Sequence, residues 1–235
     1  MSNQAIIHRS MKELCDELEY CNDRWIKSKE VREAMMKVDR ADFAPTNPYQ
    51  NFPQPIPCNV VISAPLLHAY CLEAMKNHLK EGSTVLDIGF GSGYLTVAMS
   101  KMMNDKGCVV GIEHMPELYK LGADNISKHH KNLLDDKKII LHRDDAIDYF
   151  KQKKRPLFKC IHVGAAAIKP PQEFLDHLEV GGRLVIPLGT KNYNTSDQFI
   201  YFIDKLSNGT FNYIQGLSVR YVDLTSVERQ RMGYV

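Results

Sequence analysis

The segment Val85-Leu86-Asp87-Ile88-Gly89-Phe90-Gly91-Ser92-Gly93-Tyr94-Leu95-Thr96 combines an apolar strand, a glycine-rich turn and the start of a helix. Its glycines permit a tight turn and let a ligand approach bare backbone at a helix N-terminus. Alone, such a turn is equally a plain structural device, so its neighbours decide. Asp87 stands just before the first glycine, and the next strand ends in Glu113, about 20 residues past the turn. At that separation a carboxylate accepts hydrogen bonds from the ribose hydroxyls of an adenosine compound. A carboxylate at Asp87 opposes a pyrophosphate but suits the ammonium of a methionine moiety, directly or through water. The turn carries no Lys or Arg for phosphate and lacks the Gly-Lys-Ser/Thr of a nucleotide-triphosphate loop. These residues favour S-adenosylmethionine, with S-adenosylhomocysteine as its product, over NAD.

Asp144 and Asp145 follow the next strand candidate, at the carboxyl edge where ligands bind in open α/β sheets. Either can accept from an adenine amino group; Asp145 is preferred for that role, and capping of the helix beginning at Ala146 is compatible with it. No metal is expected. Among nine histidines none forms a His-x-x-x-His or Glu-x-x-His pair, and six cysteines show no Cys-x-x-Cys spacing, so they read as reduced packing residues.

These residues need a scaffold, and the chain supplies an alternating one. Met11, Leu14 and Leu18, then Val31, Ala34, Met35 and Val38, recur at helical spacing and predict two helices within residues 10 to 38. Five prolines from Pro45 to Pro57 predict an ordered connecting loop without regular structure. Beyond it, strands are expected at Thr84 to Ile88, Val109 to Glu113, Lys138 to His142, Phe158 to Val163 and Arg183 to Pro187. Helices are expected at Tyr94 to Met103, Glu117 to His130, Ala146 to Gln152 and Pro171 to Leu178. Strands at Phe199 to Leu206 and Phe211 to Val222, joined through Asn208 and Gly209, predict a terminal antiparallel hairpin. The fold class is α/β, a Rossmann-like doubly wound, mostly parallel sheet. Residues 1–58 form a helical appendage with its proline-rich loop, and residues 59–235 the cofactor-binding core.

Composition excludes other classes. At 235 residues, with 44% hydrophobic and 25% charged residues, the chain is of ordinary globular make-up. A net charge of +2 gives no basic field for nucleic acid. The local run Lys151, Lys153, Lys154, Arg155 lacks interleaved aromatics and reads as a solvated loop. No apolar stretch is long enough for a membrane span, and Met1 to His8 lacks the regions of a signal peptide, so a cytosolic monomer is expected.

Five stretches together carry a family likeness: Val31 to Pro45, Pro53 to Tyr70, Thr84 to Thr96, Ile161 to Gly189 and Val219 to Thr225. In them the chain resembles the protein-L-isoaspartate (D-aspartate) O-methyltransferases over nearly its whole length. Most telling is Val60-Val61-Ile62-Ser63-Ala64-Pro65-Leu66-Leu67-His68-Ala69, similar to that family's Thr-Ile-Ser-Ala-Pro-His-Met-His-Ala signature. The resemblance implies Ser63 as the active-site residue, beside the transferred methyl group and the substrate carboxylate. It implies Val60, Val61, Ile62 and His68 as cofactor contacts, and Asp87, Gly89, Gly91 and Ser92 on the methionine side. Glu113 and His114 then serve ribose and adenine, Asp145 and Ala146 the adenine, and Thr225 and Gln230 close over the cofactor.

Read from the sequence alone, Ser63 before Ala-Pro is also a natural helix N-cap. The chain departs from the family pattern at Leu66 for histidine, Glu113 for aspartate, Ala146 for glycine and Asp223 for proline. Leu66 and Asp223 lie on the expected substrate side. The implied substrates are damaged proteins and peptides containing L-isoaspartate, with D-aspartate left open. Competing readings are a methyltransferase for RNA or small molecules, a non-catalytic cofactor-binding adaptor, and an NAD-dependent oxidoreductase.

Overall fold

The computed structural model describes residues 8–152, 155–189 and 197–232. Ser10 caps α1 (Met11–Tyr20), its hydroxyl accepting from Glu13 N at 3.2 Å, and the helix buries Met11, Leu14, Cys15 and Leu18 as one apolar stripe. Helix α2 (Lys29–Met36) buries Val31, Ala34 and Met35. A single 3-10 turn, Arg40–Asp42, follows, with Asp39 accepting from Ala41 N.

The proline-rich segment is not wholly irregular, contrary to the sequence expectation. Strands β1 (Gln54–Ile56) and β2 (Val60–Ile62) pair antiparallel, with Pro55 opposite Val61. A two-strand ribbon has outward-facing edges where a missing N–H costs nothing, so proline is tolerated there. Its turn takes positive φ at Cys58 and Asn59. A boundary between residues 58 and 59 falls inside this turn.

After α3 (Pro65–Met75) the alternation runs β3 (Thr84–Ile88), α4 (Tyr94–Met102), β4 (Cys108–Glu113), α5 (Pro116–His129), α6 (Lys131–Asp135), β5 (Ile139–Arg143), α7 (Ala146–Lys151), β6 (Phe158–Val163), α8 (Gln172–Asp176), β7 (Leu178–Leu188), β8 (Gln198–Lys205), β9 (Phe211–Val219) and α9 (Val227–Arg231). The short helices α6 and α9 have no counterpart in the sequence expectation. Strand β7 starts earlier than expected because Leu178 already pairs with Phe158 across a register shift, which stops α8 at Asp176.

The main sheet has the order β5-β4-β3-β6-β7-β8-β9. Strands β5, β4, β3, β6 and β7 are parallel to one another, while β8 and β9 add antiparallel. Successive side chains of a strand face opposite ways, and two buried clusters follow from this. Val85, Val109, Cys160 and Val185 face α1 to α6. Leu86, Val110, Ile161 and Leu184 face α7 and α8. The N-terminal helices thus share one hydrophobic cluster with α3 and α4. The chain order reverses at β3, between β4 and β6, and a crevice opens there at the strands' carboxyl ends.

Candidate active site

The turn after β3 takes positive φ at Gly89, Gly91 and Gly93, which only glycine adopts without strain. Between them, the buried Phe90 ring is accommodated by two further glycines. A Cβ at Gly122 would stand 2.5 Å from that ring and 2.7 Å from the Gly91 carbonyl oxygen, and one at Gly111 2.8 Å from Leu141 and 3.0 Å from the ring. The turn lies flat because β4 and α5 make room for it.

Glu113, at the end of β4, is almost fully buried and accepts from Gly91 N at 3.1 Å and Met115 N at 2.9 Å. Burial raises its pKa, against the pull of these backbone donors and of neighbouring His114. Asp87 is equally buried: Thr96 Oγ1 donates to its Oδ2 at 2.6 Å, and His162 Nδ1 meets its Oδ1 at 2.8 Å. Burial opposes the charge on His162, but hydrogen bonds to Asp87 and the Cys71 thiol, with Asp87's charge, outweigh it and push its pKa up to about 10. His162 therefore keeps its charge at neutral pH.

Ser63 does not cap α3. The N-cap is Ala64, which makes no side-chain bond; Pro65 opens the helix, and Asn51 Oδ1 accepts from Leu66 N at 3.0 Å. The Ser63 hydroxyl lies beside Tyr221, whose pKa burial raises and the serine pulls down. His68 lies under the same region, and burial, then Arg40 and His162, hold its pKa well below the ordinary histidine value.

Asp145 does cap its helix, accepting from Ile147 N at 2.8 Å and Asp148 N at 3.2 Å through one oxygen, and Asp144 accepts from Gln152 Nε2 at 2.9 Å. Of the basic run read as a solvated loop, Lys151 is the last residue of α7 and pairs with Asp148, and half-buried Arg155 stacks over Tyr149 with its guanidinium carbon 3.7 Å from the ring centre. Lys153 and Lys154 lie outside the described residues.

From the far end of the chain, β9 and the strap after it roof the crevice. Ala166 N donates to Val222 O and Leu224 N to Ala166 O, both at 2.7 Å, and Gln230 Oε1 in α9 lies 2.5 Å from His114 Nε2. The cavity measures about 590 Å³ and is partly open to solvent. Val60, Val61, Ile62, Ser63, His68, Asp87, Gly89, Gly91, Ser92, Glu113, His114, Asp145, Ala146, Thr225 and Gln230 all line it, so no site residue expected from sequence lies elsewhere. Leu66, Asp144 and Asp223 line it too.

Sequence reasoning missed His162 and Tyr221, which also reach the cavity. His162 had one signal, a polar residue inside the apolar strand Phe158–Val163; Tyr221 had none. Asp87, Glu113, Asp144, Asp145 and Asp223 make the wall acidic, and Arg220 is the one Lys or Arg among the described lining residues.

A family model described as Protein-L-isoaspartate(D-aspartate) O-methyltransferase (PCMT) matches residues 9–229. The chain belongs to this family. It is 43% identical over 218 residues to a protein-L-isoaspartate O-methyltransferase of Caenorhabditis elegans, with 93% of each chain covered. It is 39% identical to one of Triticum aestivum, with 87% of each covered. Among solved structures, a Plasmodium falciparum protein described as a family methyltransferase in complex with S-adenosyl-L-homocysteine superposes with a TM-score of 0.83 at 31% identity. That match covers 93% of this chain and 99% of the other. Four of the five stretches that carry the likeness supply residues to the cavity wall, and the first, Val31 to Pro45, stands behind it with Arg40 against Ser63 and His68.

Proposed function

We propose that the cavity binds S-adenosylmethionine and a damaged peptide side by side, and that the protein methylates the α-carboxylate of L-isoaspartyl residues. The observation that carries this reading is the convergence on one cavity of the Ser63 and His68 segment, the Asp87 and Glu113 carboxylates, and the Thr225 and Gln230 strap. None of these three groups is near another in sequence.

The residues fit the cofactor. Glu113 is held by Gly91 N and Met115 N with a lone pair left on each oxygen for the ribose hydroxyls. Ser92, Gly89 and Gly91 present backbone at the turn, His114 with Gln230 and Asp145 with Ala146 serve the adenine end, and Asp87 faces the methionine end. Because Asp87 shares its charge with His162, it offers the cofactor's ammonium an oriented lone pair more than a net charge. No Lys or Arg at the turn provides for a pyrophosphate, which speaks against NAD.

Bound there, S-adenosylmethionine supplies an electrophilic methyl group on a sulfonium. The acceptor carboxylate is already ionised at neutral pH, so the protein needs no base and acts by alignment and exclusion of water. Ser63, beside Tyr221, and the backbone of Leu217 to Val222 orient the carboxylate. An isoaspartyl linkage frees that carboxylate where a normal chain has an amide, which is what the site selects. The ester then cyclises spontaneously to succinimide, and hydrolysis restores some normal aspartate.

The chain works as a cytosolic monomer without nucleic-acid or membrane partners. In support, no helix among the described residues is long and apolar enough to cross a membrane, and the net charge is +2. Residues 1–58 serve as an appendage to the 59–235 core, and Pro53 and Ile56 from it line the cavity. Incubation with methyl-labelled S-adenosylmethionine and paired isoaspartyl and aspartyl peptides tests the reading. Label on the isoaspartyl peptide alone, released as methanol by mild alkali, is expected. Equal labelling of both twins, or alkali-stable label, defeats it.

A further inference from the structure

Arg40 is fully buried, yet no carboxylate among the described residues forms an ion pair with it. Its neighbours' carboxylates are turned elsewhere: Asp39 takes Ala41 N and Tyr49 Oη, and Asp42 takes His129. Its Nε has no partner. A guanidinium desolvated this way is costly unless something else uses it. Burial lowers its pKa only to about 10, so it remains charged at neutral pH.

What the guanidinium touches is the back of the active site. Nη2 donates to the Ser63 carbonyl oxygen at 2.7 Å, and Nη1 lies 3.2 Å from His68 Nδ1. The Tyr94 ring, 5.4 Å from the guanidinium carbon and stacked at 4.9 Å on the His68 ring, holds both from the side. Guanidinium has donors only, so His68 Nδ1 must accept and the imidazole proton must sit on Nε2. In a trans peptide the carbonyl and the next N–H point in opposite directions, and no peptide bond here is cis. Gripping the Ser63 carbonyl from behind therefore turns the Ala64 N–H away from Arg40. That N–H has no acceptor among the described residues, and Ala64 and His68 both line the cavity.

We propose that Arg40 is a positioning residue that turns the Ala64 N–H and the His68 Nε2–H into two fixed donors for a carboxylate in the cavity, beside the Ser63 hydroxyl. The inference rests on the methyltransferase reading, which supplies two such carboxylates, that of the acceptor and that of the cofactor's methionine. Arg40 touches neither and acts through the peptide and the ring it holds. His68 suits the role because burial, Arg40 and His162 keep it neutral, hence in a single tautomer.

The test uses the whole protein and two kinds of readout. Nitrogen-15 NMR of histidine-labelled wild-type protein should show His68 as the neutral Nε2–H tautomer at pH 7. An Nδ1–H tautomer or an imidazolium overturns the proposal without any variant having to fold. For Arg40→Gln, kcat/KM for an isoaspartyl peptide should fall on the order of a hundredfold, as for a misplaced reacting group. Arg40→Lys, which keeps the charge but spans one partner only, should recover a minor part of this. Loss of S-adenosylhomocysteine affinity by calorimetry in Arg40→Gln assigns the donors to the cofactor; unchanged affinity with a fall in peptide turnover assigns them to the acceptor. Unchanged kcat, KM and cofactor affinity in Arg40→Gln below its melting temperature overturns the proposal. Wild-type protein inactive on isoaspartyl peptide would defeat the functional reading, while the tautomer measurement would still decide whether Arg40 fixes the His68 ring.

Discussion

The Ser63 hydroxyl lies beside Tyr221 and its carbonyl accepts from Arg40, and neither contact starts a helix. Ser63→Ala should therefore lower kcat while changing stability by only about 0.5 kcal/mol, as for a substitution away from a cap or core. Turnover with isoaspartyl peptide and thermal melting, read on one preparation, check this; an earlier melt with normal turnover would return Ser63 to a structural role. Glu113→Gln should weaken S-adenosylhomocysteine binding by about 1.5–3 kcal/mol, the range for bonds to a charged group. Both Gly91 N and Met115 N donate to this side chain, so an amide must also turn its NH₂ toward one donor. Calorimetry with unchanged affinity would remove Glu113 from the site. The His162 pKa is raised from 6.5 to about 10, so its stabilising contribution is complete below 6.5 and is lost as pH rises through about 10. The melting-temperature gap between wild type and His162→Gln should be widest near pH 6 and close toward pH 10; a gap that widens with pH would contradict the charged pair. Asp87 and Glu113 were legible in the sequence because strand and turn hold them at fixed spacing from the glycines. Arg40, His162 and Tyr221 were not, since they come from separate segments and meet only when the sheet is assembled. Arg40 left one trace, a charge set among the buried positions Val38, Phe43 and Ala44.

Among the elements, the expected strands and helices of the parallel half follow the sequence pattern to within a residue or two except at the early start of β7, since the central strands are buried on both faces and each helix on one. The β1–β2 hairpin escaped that logic. Its prolines argue against a strand locally, and what permits one is that the ribbon has free edges, a property of the assembled structure. Gly111 and Gly122 were silent for a related reason: each matters because it faces Phe90, which is distant in sequence. Gly122→Ala should cost about 1–3 kcal/mol by overpacking. It should also weaken S-adenosylhomocysteine binding, since the new methyl presses on the Gly91 carbonyl as well as the ring. Urea unfolding together with calorimetry tests both parts, and a stability loss with full affinity would show that the ring alone gives way.

For the molecule as a whole, the three groups of site residues come from distant parts of the chain and meet around one cavity, so ligand binding should report on global stability. S-adenosylhomocysteine at a hundred times its Kd should stabilise the fold by about 2.7 kcal/mol, visible as a higher melting temperature, whereas NAD at equal concentration should give no shift. Equal shifts would reopen the oxidoreductase reading. The roof also has a position in time. The strap from Val222 to Gln230 is made after every strand of the sheet, and it reaches back to Ala166 and His114, elements already in place. A nascent chain whose β3 turn and Glu113 are folded still has an open crevice until the ribosome has released this stretch. On the proposed function, partly synthesised copies carry the signature motif without the roof, and their methyl transfer waits for this segment to dock.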